Sequence, residues 1–216
     1  MIQLTHIGEI LLAEMINRSP SVQDFLAEHD LPIVIVGDKV NAGAEIQLGT
    51  CGKYRFDGAH KLDVAIWHGG TKSCIGLEAK LGQDRLSKAE FERRFLNKCS
   101  ISHSGSRISG SMISILEGKL PEACDREDVI VKHQGIDYKL LPKWLLIMRK
   151  RILDMWQRSG RPELSRNCIV LAFEDIVSRY GGREPFNNLV QQFLKVDDYY
   201  RKWIVEGAGM NDSGDN

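Results

Sequence analysis

Residues 61–83 read KLDVAIWHGGTKSCIGLEAKLGQ, and the fold turns on how this stretch is read. Leu62 to His68 is an apolar, turn-bounded run, His68-Gly69-Gly70-Thr71 supplies the turn, and Ser73 to Leu81 is a return strand. Side chains alternate along a strand, so Ile75, Leu77, Ala79 and Leu81 share one face while Glu78 and Lys80 share the other. Two positions apart on one face means about 7 Å between Glu78 and Lys80. Asp63, near the start of the neighbouring strand, faces them in a hairpin-like pairing.

An Asp followed on the next strand by Glu-x-Lys is a chemical proposal. Two carboxylates with a shared outlook hold a hard divalent cation through oxygen ligands. The lysine is a compact cation that orients an attacking water and stabilises charge building on phosphorus. Leu62-Asp63 followed by Glu78-Ala79-Lys80 resembles the PD-(D/E)XK nucleases, which include many restriction endonucleases and Holliday-junction resolvases. The residue before Asp63 is Leu, where the family pattern has Pro.

The resemblance implies a restriction-endonuclease-like α/β fold, a central mixed β-sheet flanked by helices, and metal-dependent hydrolysis of phosphodiester bonds in DNA. It implies Mg2+ or Mn2+ held by Asp63, Glu78 and the backbone carbonyl of Ala79, with Lys80 acting on the nucleophilic water. One motif per chain also points to a homodimer for cutting both strands of a duplex. The alternative of another class is a non-catalytic nucleic-acid-binding or interaction module on the same fold. The blandest alternative is an exposed Glu78–Lys80 pair contributing about a few tenths of a kcal/mol, in which case Lys80→Ala is nearly silent.

Whole-chain numbers bound these readings. A length of 216 residues and 43% hydrophobic content fit one globular domain, expected over 1–206, with a small, polar, disordered tail over 207–216. No apolar run approaches a membrane span, and the N-terminus carries no basic region followed by a hydrophobic one. The five cysteines are scattered without Cys-x-x-Cys spacing, which argues against a zinc site and for reduced thiols in a cytoplasm. Net charge is zero, with 29 basic and 29 acidic side chains, whereas a protein that grips nucleic acid by charge alone is basic. The charge is uneven, however. From Lys139 to Arg166 eight Lys or Arg face only Asp154 and Glu163, and Lys143, Arg149, Lys150 and Arg151 of this run are candidate phosphate contacts.

Outward from the central stretch, His6 to Arg18 is helical by pattern with Thr5 as its N-cap, and Ile7, Ile10, Leu11 and Met15 share one face. Glu14 falls within that face and is a candidate auxiliary ligand. A second helix is expected over Ser21 to His29, capped by Ser21. Strands are expected over Pro32 to Val36, Glu45 to Leu48 and Lys53 to Phe56, with Gly49 to Gly52 as a turn; Glu45 is a further acidic candidate. After Lys80, Gln83 is within reach of a substrate, and Ser87 with Glu90 opens a helix carrying Arg93 and Arg94, both candidate nucleic-acid contacts. Ser100 to Ser114 reads as a serine-rich connector from which Arg107 contacts a phosphate backbone. A helix is expected over Ile113 to Leu120, and a hairpin around Gln134-Gly135. Trp144 to Met148 reads as a buried strand, in competition with a helix from Pro142 to Gln157. Cys168 to Phe173 is another strand, and a helix runs from Pro185 to Val205.

Overall fold

The computed structural model describes residues 4–29, 40–51, 54–56, 61–68, 70–81, 99–103, 106–110, 129–158 and 168–194. These form a mixed α/β fold: nine strands in one mixed sheet and five helices. The strands are β1 (Val40–Cys51), β2 (Tyr54–Phe56), β3 (Lys61–His68), β4 (Ser73–Lys80), β5 (Cys99–His103), β6 (Ser106–Gly110), β7 (Val129–His133), β8 (Ile136–Met148) and β9 (Cys168–Ala172). The helices are α1 (Leu4–Arg18), α2 (Pro20–Ala27), α3 (Lys150–Arg158), α4 (Phe173–Arg179) and α5 (Arg183–Leu194).

The central stretch folds as its pattern requires. β3 and β4 pair antiparallel from Val64 opposite Leu77 to His68 opposite Ser73. Val64, Ile66, Ile75, Leu77 and Ala79 are buried on one face against Leu11, Leu12, Met15 and Ile16 of α1, Val22 and Leu26 of α2, and Phe186 and Val190 of α5. On the opposite face, Leu146, Met148 and Ala172 pack under Ile152, Leu153 and Trp156 of α3. Each fully buried Leu or Ile contributes about 1.5–3 kcal/mol, so this two-sided cover is the main source of stability.

β8 is the longest strand because it serves two sets of neighbours. Its first half pairs antiparallel with β7, and its second half, from Trp144, runs parallel between β4 and β9. Between Leu140 and Trp144 the register against β4 slips by two residues, around Pro142. Proline has no N–H for a ladder and is tolerated in strands at such irregularities. β1 pairs with both β3 and β7, so β1, β3, β4, β8 and β7 close into a circuit of five strands.

Gly76 stands where β4 passes under Trp144. A Cβ there would lie 2.9 Å from the Trp144 ring and 3.0 Å from a Leu62 methyl. Both neighbours are buried and tightly held, so Gly76→Ala is expected to lower stability by about 1–3 kcal/mol. Urea unfolding followed by Trp fluorescence checks it; an unchanged midpoint would show that the ring has room to shift.

Several expectations are corrected. Thr5 lies inside α1, which begins a turn earlier than its apolar pattern, and Ile10 is only half-buried. The cap of α2 is Ser19, whose hydroxyl accepts the Val22 N–H, with Pro20 at the first helical position; Ser21 is interior. Gly49 to Cys51 are strand, not turn: β1 runs through them, with a register shift against β7 between Leu48 and Thr50. The connector read from Ser100 is the β5–β6 hairpin, pairing Ile101 with Ile108 and Ser102 with Arg107. Residues 144–148 are strand, and the competing helix starts only at Lys150. α4 is an unanticipated element, and the last described helix begins at Arg183. The expected strand at 32–36, the helices from Ser87 and Ile113, and the tail over 207–216 lie outside the described residues.

Candidate active site

Parallel β4, β8 and β9 end in line, with Lys80 beside Met148 and Met148 beside Ala172. Open α/β sheets bind ligands outside the carboxyl ends of such strands. Glu78 and Lys80 lie across from Leu146 and Met148, on the face covered by α3 and away from α1.

The β3–β4 ladder stops at Val64 opposite Leu77, and one side chain takes over from there. Asp63 Oδ2 accepts the Ala79 N–H at 2.9 Å, satisfying an amide that would otherwise lack a strand partner. This bond fixes the Asp63 carboxylate at the end of β4. The Lys80 ammonium then donates to Asp63 Oδ2 at 3.1 Å, to Glu78 Oε2 at 3.1 Å and to the Ala79 carbonyl at 3.3 Å. Three oxygens from two strands thus surround one cationic nitrogen. The side chains are 13% (Asp63), 5% (Glu78) and 17% (Lys80) exposed. That excludes the exposed-pair reading: two carboxylates this sheltered need a counter-charge at close range.

The other candidates are distributed as follows. Glu14 accepts from Arg18 at 2.8 Å, and Arg18 also donates to Gln192 of α5, so Glu14 is tied to the helical layer on the far face of the sheet. Lys143 and Arg149 are half-buried, and Lys150 and Arg151 are exposed at the start of α3. Arg107 lies in β6, away from β4 in the strand order. Gln83, Arg93 and Arg94 lie outside the described residues. Glu45 lies in β1 between Ala44, which pairs with Val64, and Ile46, which pairs with Leu62; its register position is therefore opposite Asp63.

Two groups escaped the sequence reading. The first is the Ala79 amide, whose role depends on where a ladder ends. The second is Glu174, whose carboxylate accepts the Lys150 N–H at 2.6 Å and so holds the first turn of α3. Burial pushes the Glu174 carboxyl above its ordinary 4.5, against the Lys150 hydrogen bond and the charge of Arg149. A carboxyl raised in the folded state takes up its proton there first, so its contribution to stability is lost as pH climbs from 4.5 through the folded value. Glu174→Gln keeps an acceptor for Lys150 and removes the charge. Its stability relative to wild type is expected to rise from pH 4 to pH 7; parallel curves in thermal melts would contradict this.

Cys74 and Cys168 have thiols pushed up to about 12 by burial, which removes both as nucleophiles near neutrality. No group of three or more His, Cys, Asp or Glu side chains is arranged to hold a metal among the described residues, so a metal at this site would use two carboxylates and a backbone oxygen. No helix among the described residues is long and apolar enough to cross a membrane. No family model matches the chain, and it has no match among curated proteins or solved structures.

Proposed function

We propose that the chain is a metal-dependent endonuclease of the restriction-endonuclease-like kind, hydrolysing phosphodiester bonds in DNA through Asp63, Glu78 and Lys80. The observation that carries this reading is the convergence of Asp63 Oδ2, Glu78 Oε2 and the Ala79 carbonyl on one cation. Two carboxylates and a carbonyl are the donor chemistry of a hard divalent ion, so Mg2+ or Mn2+ fits the set. Such an ion, when bound, supplies Lewis acidity toward a phosphate oxygen and a water of lowered pKa.

The chain's own groups do the rest. Ala79 N–H holds Asp63 in place, and pairing of Glu78 with Leu146 of β8 fixes its backbone. Lys80 supplies a positive charge beside the site, where negative charge develops on the phosphate oxygens. Arg149, Lys150 and Arg151 open α3 just beyond Met148, roughly 5 Å from the end of β4, the spacing of adjacent strands. Basic residues at the positive end of a helix dipole suit a DNA phosphate. The contact with DNA is thus local, consistent with a neutral chain.

The test is cleavage of a labelled duplex in Mg2+. Loss of cutting in EDTA supports the reading and persistence overturns it; DNA binding without cutting under any metal would favour the interaction module.

A further inference from the structure

We propose that Lys80 is the resident counter-cation of the Asp63–Glu78 pair, and that a divalent ion enters this site by displacing the Lys80 ammonium. This rests on the nuclease reading and adds a control step to it. The ammonium lies 3.1 Å from each carboxylate and 3.3 Å from the Ala79 carbonyl, in the space a shared metal ion needs. Mg2+ binds oxygen at about 2.0–2.1 Å and tolerates little departure from its geometry. A divalent ion held by those three oxygens would stand close beside the ammonium, and the two cations would repel one another.

The burial of the pair explains why the position is filled. Glu78 at 5% and Asp63 at 13% exposure are too sheltered to stand side by side without a positive charge. Lysine suits a temporary occupant, because its four-carbon stem is flexible and its ammonium is a point charge without a rigid fork. With 17% exposure the side chain also has an opening to solvent. The site therefore exists in two charged forms, one closed by lysine and one open to metal. The balance between them sets the metal concentration at which the protein becomes active.

The experiment is calorimetric titration of Mn2+ into wild type, Lys80→Met and Asp63→Asn. A site held nine-tenths of the time by its own lysine binds metal about tenfold more weakly than the same site freed of it. Lys80→Met is accordingly expected to bind Mn2+ about tenfold more tightly than wild type, with Asp63→Asn losing the binding. Unchanged or weaker binding by Lys80→Met, with binding still lost in Asp63→Asn, would overturn the proposal and leave the nuclease reading intact. No Asp63-dependent binding in any of the three would remove both.

Should Lys80→Met fail to fold without metal, wild type serves alone. Acylation of Lys80 by a succinimidyl ester, read by mass spectrometry, is expected to rise severalfold on adding Ca2+, with exposed Lys132 and Lys150 as references. An unchanged Lys80 rate at saturating Ca2+ would overturn the displacement.

Discussion

Replacing Lys80 by alanine is expected to slow single-turnover cleavage of duplex DNA by about 10²–10³-fold, the cost of losing one charge-stabilising donor from an active site. Lys80 donates to both Asp63 and Glu78, and its expected effect on the rate comes from the step in which charge builds on phosphorus. DNA affinity, titrated at one fixed salt concentration, is expected to change little. Folding is another matter. The sequence reading treats Lys80→Ala as neutral for stability, but the ion pairs at 3.1 Å revise that: without metal the variant is expected to lose up to about 3 kcal/mol, the lower end for a broken buried pair. Rates must therefore be compared on samples shown to be folded. Asp63→Ala is also expected to stop turnover, chiefly through lost metal, so excess Mn2+ partly restores it. An unchanged rate in folded Lys80→Ala would sink the assigned role.

The second large effect concerns the metal. Chelation by EDTA is expected to take cleavage to background, and readdition of Mg2+ or Mn2+ to restore it, because the donor set is all oxygen. Ca2+ is expected to support binding without turnover, since its flexible shell activates water poorly. Glu78→Gln tests the same point from the protein side. It halves the carboxylate charge of the donor set, and the Mg2+ concentration giving half-maximal rate is expected to rise by an order of magnitude or more. Cutting that persists in EDTA would remove the metal from the mechanism.

The centre of the fold was legible because local rules govern it. Alternation placed Ile75, Leu77 and Ala79 inside and Glu78 with Lys80 on the other face, and the sheet obeys this. Gln134 and Gly135 announced a tight hairpin, and both have the positive φ, 49° and 78°, of the turn that suits twisted strands. What failed depended on distant partners. Serine between isoleucines reads as a connector, yet Ile101 pairs with Ile108, and β2 lies beside β5 to receive it. Gly49 reads as punctuation until β7 is there to take a shifted register. α4 has seven residues, too few for an apolar period to show. At the site, the side-chain types were readable, but nothing local reveals that a carboxylate ends the β3–β4 ladder or that Glu174 holds a helix 24 residues earlier.

The closed circuit of strands also governs when the site comes into being. Asp63, Glu78 and Lys80 emerge together from the ribosome, but β4 has only β3 beside it until residues 136–148 are made. β1 is already there to pair with β3, but the other side of β4, where Glu78 meets Leu146, stays without its strand. Closure further requires β7 to return to β1, where Cys51 pairs with Val129 about eighty residues later in the chain, a contact whose entropy cost makes it late. A half-synthesised chain therefore carries Asp63, Glu78 and Lys80 without the strand that fixes the backbone of Glu78. On the proposed function, such a chain would not cut the nucleic acid around it until residues 136–148 have been made.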